Sequence, residues 1–172
     1  APLDAYLASI ARKGLAGRLW VRDLFGKLMN EGMLKALGIA PTDYLGLTDI
    51  QVAAAGWLAQ QLQFQSLCDK LGSRVATLNS DVLISRPQDV LASLAKLFDL
   101  AIDADTIAAI VSGPVFTRDA KTGSEFGTGQ RQRDAQQAIS LYADEVEKVG
   151  HWARVIAHNI GISEALPRPL LP

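Results

Sequence analysis

Residues 74–100, RVATLNSDVLISRPQDVLASLAKLFDL, decide how this chain is read. Arg74–Leu78 alternates Val75 and Thr77 with Ala76 and Leu78, a period-two pattern with β-branched side chains that predicts a short strand. Ser85 and Gln88 have the spacing of a capping box, with Pro87 inside the first turn, so a helix is expected to open at Ser85. Val90, Leu91, Leu94, Leu97 and Phe98 recur at helical spacing and give that helix its apolar face. A lone strand leaves its backbone groups unpaired. Either Arg74–Leu78 pairs with a less obvious segment, or its neighbours belong to a portion of the protein outside these residues. The expected fold is predominantly α-helical with one or two short strands.

Working outward from this stretch, helix dominates. Pro2 suits a first turn and Gly14 an end, with Leu3, Tyr6, Leu7 and Ile10 at helical spacing between them. A second helical region is predicted over about 15–37, burying Leu19, Trp20, Leu24, Leu28, Met29, Met33 and Leu34. Gly26 and Gly32 make two shorter helices equally compatible with it. Ile39 to Gly46, with Pro41, reads as a connection. Thr48 with Gln51 forms a capping box opening a helix that should run to about Leu71 and stop at Gly72. Asp103 can cap a short helix ending near Gly113. Ala135, Ile139, Tyr142, Val146, Val149, Trp152, Ile156 and Ile160 keep a three-or-four spacing in a final helix that Gly150 could break. The segment from Pro167 is expected to fray. The chain is read as a single domain, 1–172, with a helical region 1–72, a second region 73–161 and a tail 162–172.

Composition limits the partners. Seventeen Lys and Arg nearly balance eighteen Asp and Glu, so no global field draws the chain to nucleic acid or an anionic membrane. Any anion site must be local. Cys68 is the single cysteine, which excludes an internal disulfide and a thiolate metal cluster and points to a reducing, cytoplasmic setting. No apolar run reaches membrane-spanning length, and the first residues lack the layout of a signal peptide.

The candidate chemistry lies in the loop from Pro114 to Arg131, overlapping the stretch 116–133, FTRDAKTGSEFGTGQRQR. Gly113, Gly123, Gly127 and Gly129 let the backbone approach a ligand. Arg118, Lys121, Arg131 and Arg133 supply cations, a guanidinium gripping two phosphate oxygens and Lys121 acting as a mobile point charge. The plainer reading is a solvated loop whose charges pair with Asp119, Glu125 and Asp134. Elsewhere the signals are structural. His151 and His158 lie two turns apart without further metal ligands, so no metal is expected. Trp20, Trp57 and Trp152 read as core. Arg18 and Arg22, one turn apart, could share a phosphate or acidic partner, or lie on a solvated face.

The central stretch and this loop together resemble the C-terminal part of sulfotransferases. Asn79-Ser80-Asp81-Val82-Leu83 is similar to the segment usually written Tyr-Glu-Asp-Leu. Pro87 and Leu97-Phe98-Asp99-Leu100 match the helix that follows and its end. Phe116-Thr117-Arg118 resembles the opening of the Phe-x-Arg-Lys-Gly loop, although Asp119-Ala120 stand in place of Lys-Gly. The likeness covers about 74–161. It implies the C-terminal half of a P-loop α/β fold, PAPS as sulfuryl donor, and Arg118, Lys121, Gly123 and Arg131 facing the donor nucleotide, with an acceptor hydroxyl or amine. The family's phosphate loop, the Arg/Ser pair for the 3′-phosphate and the catalytic histidine have no counterpart here, so no catalytic residue is assigned. Such a chain is expected to be inactive without a phosphate-loop half. The alternative is a non-catalytic helical module that binds a protein partner or a copy of itself.

Overall fold

The computed structural model describes residues 1–29, 32–118, 123 and 128–171. By internal contacts the chain forms two compact units: residues 2–66 with 135–165, and residue 1 with 67–134 and 166–172. The described residues are mostly helical, and strand pairing among them is confined to isolated bridges.

The larger unit begins with α1 (Leu3–Arg12) and α2 (Gly14–Met29), joined at Gly14, whose φ of +58° favours glycine. After Gly32, at φ +80°, comes α3 (Met33–Ala36). The predicted 15–37 helix therefore divides at Gly32 and passes through Gly26. Residues 39–46, expected as a connection, hold the short α4 (Pro41–Gly46), because Pro41 takes the first helical position, where its missing N–H costs nothing. The longest helix, α5 (Asp49–Leu71), opens as the capping box predicts. Thr48 N–H donates to Gln51 Oε1 at 2.9 Å, and Gln51 N–H donates to Thr48 Oγ1 at 3.2 Å. Gly72, at φ +57°, follows its end.

The core of this unit gathers Leu3, Leu7 and Ile10 of α1, Val21 and Phe25 of α2, and Ile50 and Leu58 of α5, all essentially inaccessible to solvent. Two glycines set how closely helices approach. A Cβ at residue 56 would overlap the Phe25 ring, and one at residue 17 would lie 2.6 Å from Ile10 O. The buried line on α2 is thus Gly17, Val21 and Phe25. Leu19 and Trp20, predicted to be buried, are 60% and 50% exposed.

The smaller unit takes in the end of α5, from Leu67, and then a 3₁₀ turn, Gly72–Arg74, so the predicted strand loses its first residue to helix. Val75 is extended, and Thr77 makes a parallel bridge to Pro169. Thr77 N–H donates to Arg168 O at 3.0 Å, Leu170 N–H donates to Thr77 O at 2.8 Å, and the Thr77 hydroxyl donates to Pro167 O. The less obvious partner is therefore the segment expected to fray, and these bonds hold it.

Next come α6 (Ser80–Ser85), which periodicity did not predict, and α7 (Pro87–Leu97). Asn79 caps α6, its side chain accepting from Asp81 N–H at 3.0 Å. Ser85 does not cap α7. Its hydroxyl donates back to Asp81 O at 2.8 Å, and Arg86 precedes Pro87 as a residue without a side-chain cap. The reason is Pro87, which drives its predecessor out of the helical region and leaves Ser85 at the end of α6. Beyond Asp99, in the left-handed region at φ +52°, Leu100 N–H donates to Ala95 O at 2.8 Å and closes α7. α8 (Ala104–Ser112) is capped by Asp103 as expected, at 2.8 Å from Thr106 N. Hydrogen bonding from Thr106, side chain and backbone, holds the Asp103 carboxyl below its usual range. α6 packs on α7, α7 on α8, and α8 on the single turn α9 (Pro114–Thr117).

Two helices complete the chain, α10 (Thr128–Leu141) and α11 (Ala143–Asn159). The long C-terminal periodicity breaks at Tyr142, and Gly150, the expected breaker, is buried inside α11. Its role is steric. A Cβ there would lie 2.8 Å from Arg154 Nη1 and 2.9 Å from Asp4 Oδ1. Glycine leaves room for an ion pair joining α1 to α11, with Arg154 Nη2 2.9 Å from both Asp4 oxygens and Nε 2.7 Å from Glu164.

Candidate functional site

The basic loop is shorter than its sequence implies. Pro114 takes the first position of α9, and Arg118 N–H donating to Pro114 O at 3.0 Å closes that turn. At the other side α10 begins at Thr128, so Gly129 and Arg131 are helical where the composition reads as loop. Thr128 to Leu141 tolerates Gly129 because a glycine in a first turn interrupts little of the hydrogen-bond ladder.

Arg118 follows α9 directly, extended at φ −128° and ψ 145°, with an exposed side chain. No salt bridge among the described residues engages it. Gly123 is exposed, at φ +69° with open space where a Cβ would stand, a conformation that keeps glycine at that position. Lys121 lies outside the described residues, as does the side chain of Arg131; Asp119 and Glu125, the acids that would neutralise the loop, lie outside them too. Arg133 is exposed on α10.

The other candidates resolve individually. Arg18 and Arg22 do not share a ligand. Arg18 takes Glu145 of α11 in a two-pronged pair at 3.1 and 2.8 Å, and hydrogen bonding to Glu145 raises its already high pKa. Arg22 Nε reaches Asp49 at 2.6 Å and Nη2 donates to Leu47 O, tying α2 to the start of α5. His151 and His158 are exposed on α11. Trp57 is buried, whereas the ring of Trp20 faces solvent with Lys13 Nζ 5.7 Å from its centroid.

Helical spacing misplaced one surface. Leu15, Leu19 and Trp20 form an exposed apolar face on α2, and the i, i+4 series Gly17, Val21, Phe25 was the signal that the opposite face is buried. Among the described residues no helix is long and apolar enough to cross a membrane. Comparison with protein-family models, with curated proteins and with solved structures gave no match for the chain.

Proposed function

We propose that this is a sulfotransferase-family chain, or a piece of one, whose residues around Arg118 contribute to the site for the 3′-phosphoadenosine end of PAPS. The reading rests on the order of the family-like segments along the chain: Asn79–Leu83, Pro87 heading a helix, Leu97–Leu100, then Phe116–Arg118. The observation that carries it is the setting of Arg118. An exposed guanidinium stands on extended backbone immediately after a helical turn, without an ion pair among the described residues, and the left-handed Gly123 follows five residues on. A planar fork without an internal ion pair among the described residues suits two oxygens of one phosphate. Lys121 and Arg131 would add charge near the same group.

In this reading the chain positions the donor and does not by itself carry out transfer. Charge builds on the oxygen that bridges the leaving nucleotide, and stabilising it needs cations or donors at that atom. The family's phosphate loop supplies these, and no segment of this sequence resembles it.

Calorimetric titration with 3′,5′-ADP tests the assignment. Binding is expected to be weak, about millimolar or about −4 kcal/mol, because one end of the nucleotide is held. Arg118→Ala should weaken it beyond detection, while Arg118→Lys should retain part of it. Binding that Arg118→Ala leaves unchanged, or none at several times the expected dissociation constant, would overturn the reading.

A further inference from the structure

The side of α2 turned away from the core carries Leu15, Ala16, Leu19 and Trp20, where a solvated helix would place charge. Leu15 is 72% exposed, more than Leu19 or Trp20 on the same face. Apolar side chains clustered this way on an outer face mark a surface that another body covers. We propose that the body is a second copy of this chain, with α2 packed antiparallel on α2 of the partner about a two-fold axis passing beside Gly17 and Arg18.

A patch that binds itself about a two-fold axis must be complementary to itself. In the proposed register, residues whose numbers add to 35 face one another. Leu15 then lies on the ring of Trp20 of the partner subunit, and the methyl of Ala16 leaves a notch for the partner's Leu19. Both contacts occur twice. The charges agree with the same register. The first turn of α2 contains no acidic residue, so its positive end is not offset from within the helix. Asp23 is exposed and sits about 8 Å along the helix from the axis, while the first residue of α2 sits about 5 Å from it on the other side. Antiparallel packing brings the partner's Asp23 to that first turn, and side chains lean toward their own N-terminus, which narrows the remaining gap. Arg12 and Lys13, both exposed, immediately precede the turn. The bond Asp23 now makes, to Lys27 at 3.0 Å, joins two exposed side chains and is easily exchanged. The same Asp23, on the apolar face itself, argues against an anionic lipid surface as the occupant.

The patch is small beside the roughly 800 Å² per partner of a standard interface, so the association is weak and concentration-dependent. Sedimentation velocity on the full chain, from about 5 µM to about 500 µM, spans the range in which such a contact appears. A shift from monomer to dimer is expected. Leu19→Asp should abolish it and Asp23→Lys should weaken it at least tenfold, with thermal midpoints unchanged because both side chains face solvent. Ala16→Leu separates a fitted notch from general stickiness: filling the notch should weaken the dimer, whereas a merely adhesive patch would associate more strongly. A monomer at the highest concentration, a dimer indifferent to Leu19→Asp, or a tighter dimer with Ala16→Leu would each overturn the proposal. So would flotation of a monomeric chain with phosphatidylserine vesicles that Leu19→Asp abolishes, which would assign the face to lipid.

Discussion

Asn79 accepts a hydrogen bond from Asp81 N–H, while Ser85 donates its hydroxyl to Asp81 O, so two small polar residues act at opposite ends of α6. The first satisfies a donor that the helix start leaves free. The second adds to a carbonyl already within the helix and supports no new helix start. Asn79→Ala should therefore cost on the order of 1 kcal/mol, and Ser85→Ala should be nearly neutral, measured as shifts in a urea denaturation midpoint. A loss for Ser85→Ala as large as that for Asn79→Ala would contradict the assignment. The capping boxes at Thr48 and Ser85 have the same sequence spacing, yet only Thr48 forms one, because Pro87 alters the backbone before it. That difference is a local conformational one set by the proline, which the capping-box spacing alone does not encode. Tyr6, on α1, gives a pH test. Burial pushes its phenol up from 10.0 to about 12, so the neutral form is favoured in the fold. The unfolded chain ionises first as pH rises from about 10 toward about 12, and stability declines across that window. Tyr6→Phe should remove this part of the decline, read as the difference between the two proteins' denaturation midpoints at successive pH values.

At the level of elements, the longer helices were legible, the short α4, α6 and α9 were not, and neither was helix orientation. Apolar residues occur all round α2, and a periodicity count cannot separate a buried line from an exposed one when both are apolar. Close packing chose the line containing glycine. Gly17 admits α1, and Gly56 on α5 admits the Phe25 ring. Gly150 on α11 was open to the same misreading, since a glycine within a helical pattern looks like a breaker unless its neighbour across the interface is known. Gly56→Ala tests this account. The added methyl would overlap ring carbons of a side chain wholly removed from solvent, and overpacking of that kind costs about 2–3 kcal/mol. Combining it with Phe25→Leu should cost less than the sum of the two single changes, because the smaller side chain vacates the space the methyl needs. Strict additivity of the two variants in a double-mutant cycle would show that ring and methyl do not compete.

Across the whole chain, helical spacing and capping signals made a mostly helical protein legible, and the position of Arg118 beside glycine-bearing sequence was legible too. The pairing of Thr77 was not. Its partners lie ninety residues away, and the segment Pro-Arg-Pro-Leu carries two prolines and no strand alternation. A polypeptide needs only one donor and one acceptor in register to form a bridge, and Arg168 O and Leu170 N–H supply them around Pro169, which has no N–H to contribute. Among its described residues the smaller unit buries few side chains completely, and these bonds tie its beginning to its end. Removing residues 166–172 would delete three hydrogen bonds to Thr77, a loss of about 2–3 kcal/mol. Cys68 is a built-in reporter of that loss. It is buried in the same unit, and its Sγ lies 3.8 Å from Pro167 O. The shortened chain should therefore show faster reaction of its single thiol with an aromatic disulfide reagent and faster exchange of the Thr77 amide. Amides of Val52 and Ala53, in the core of the larger unit, should keep their protection, because local opening draws on the free energy of the unit concerned. Slow thiol reaction and an unchanged Thr77 amide in the shortened chain would mean that the bridge contributes nothing to holding this region closed.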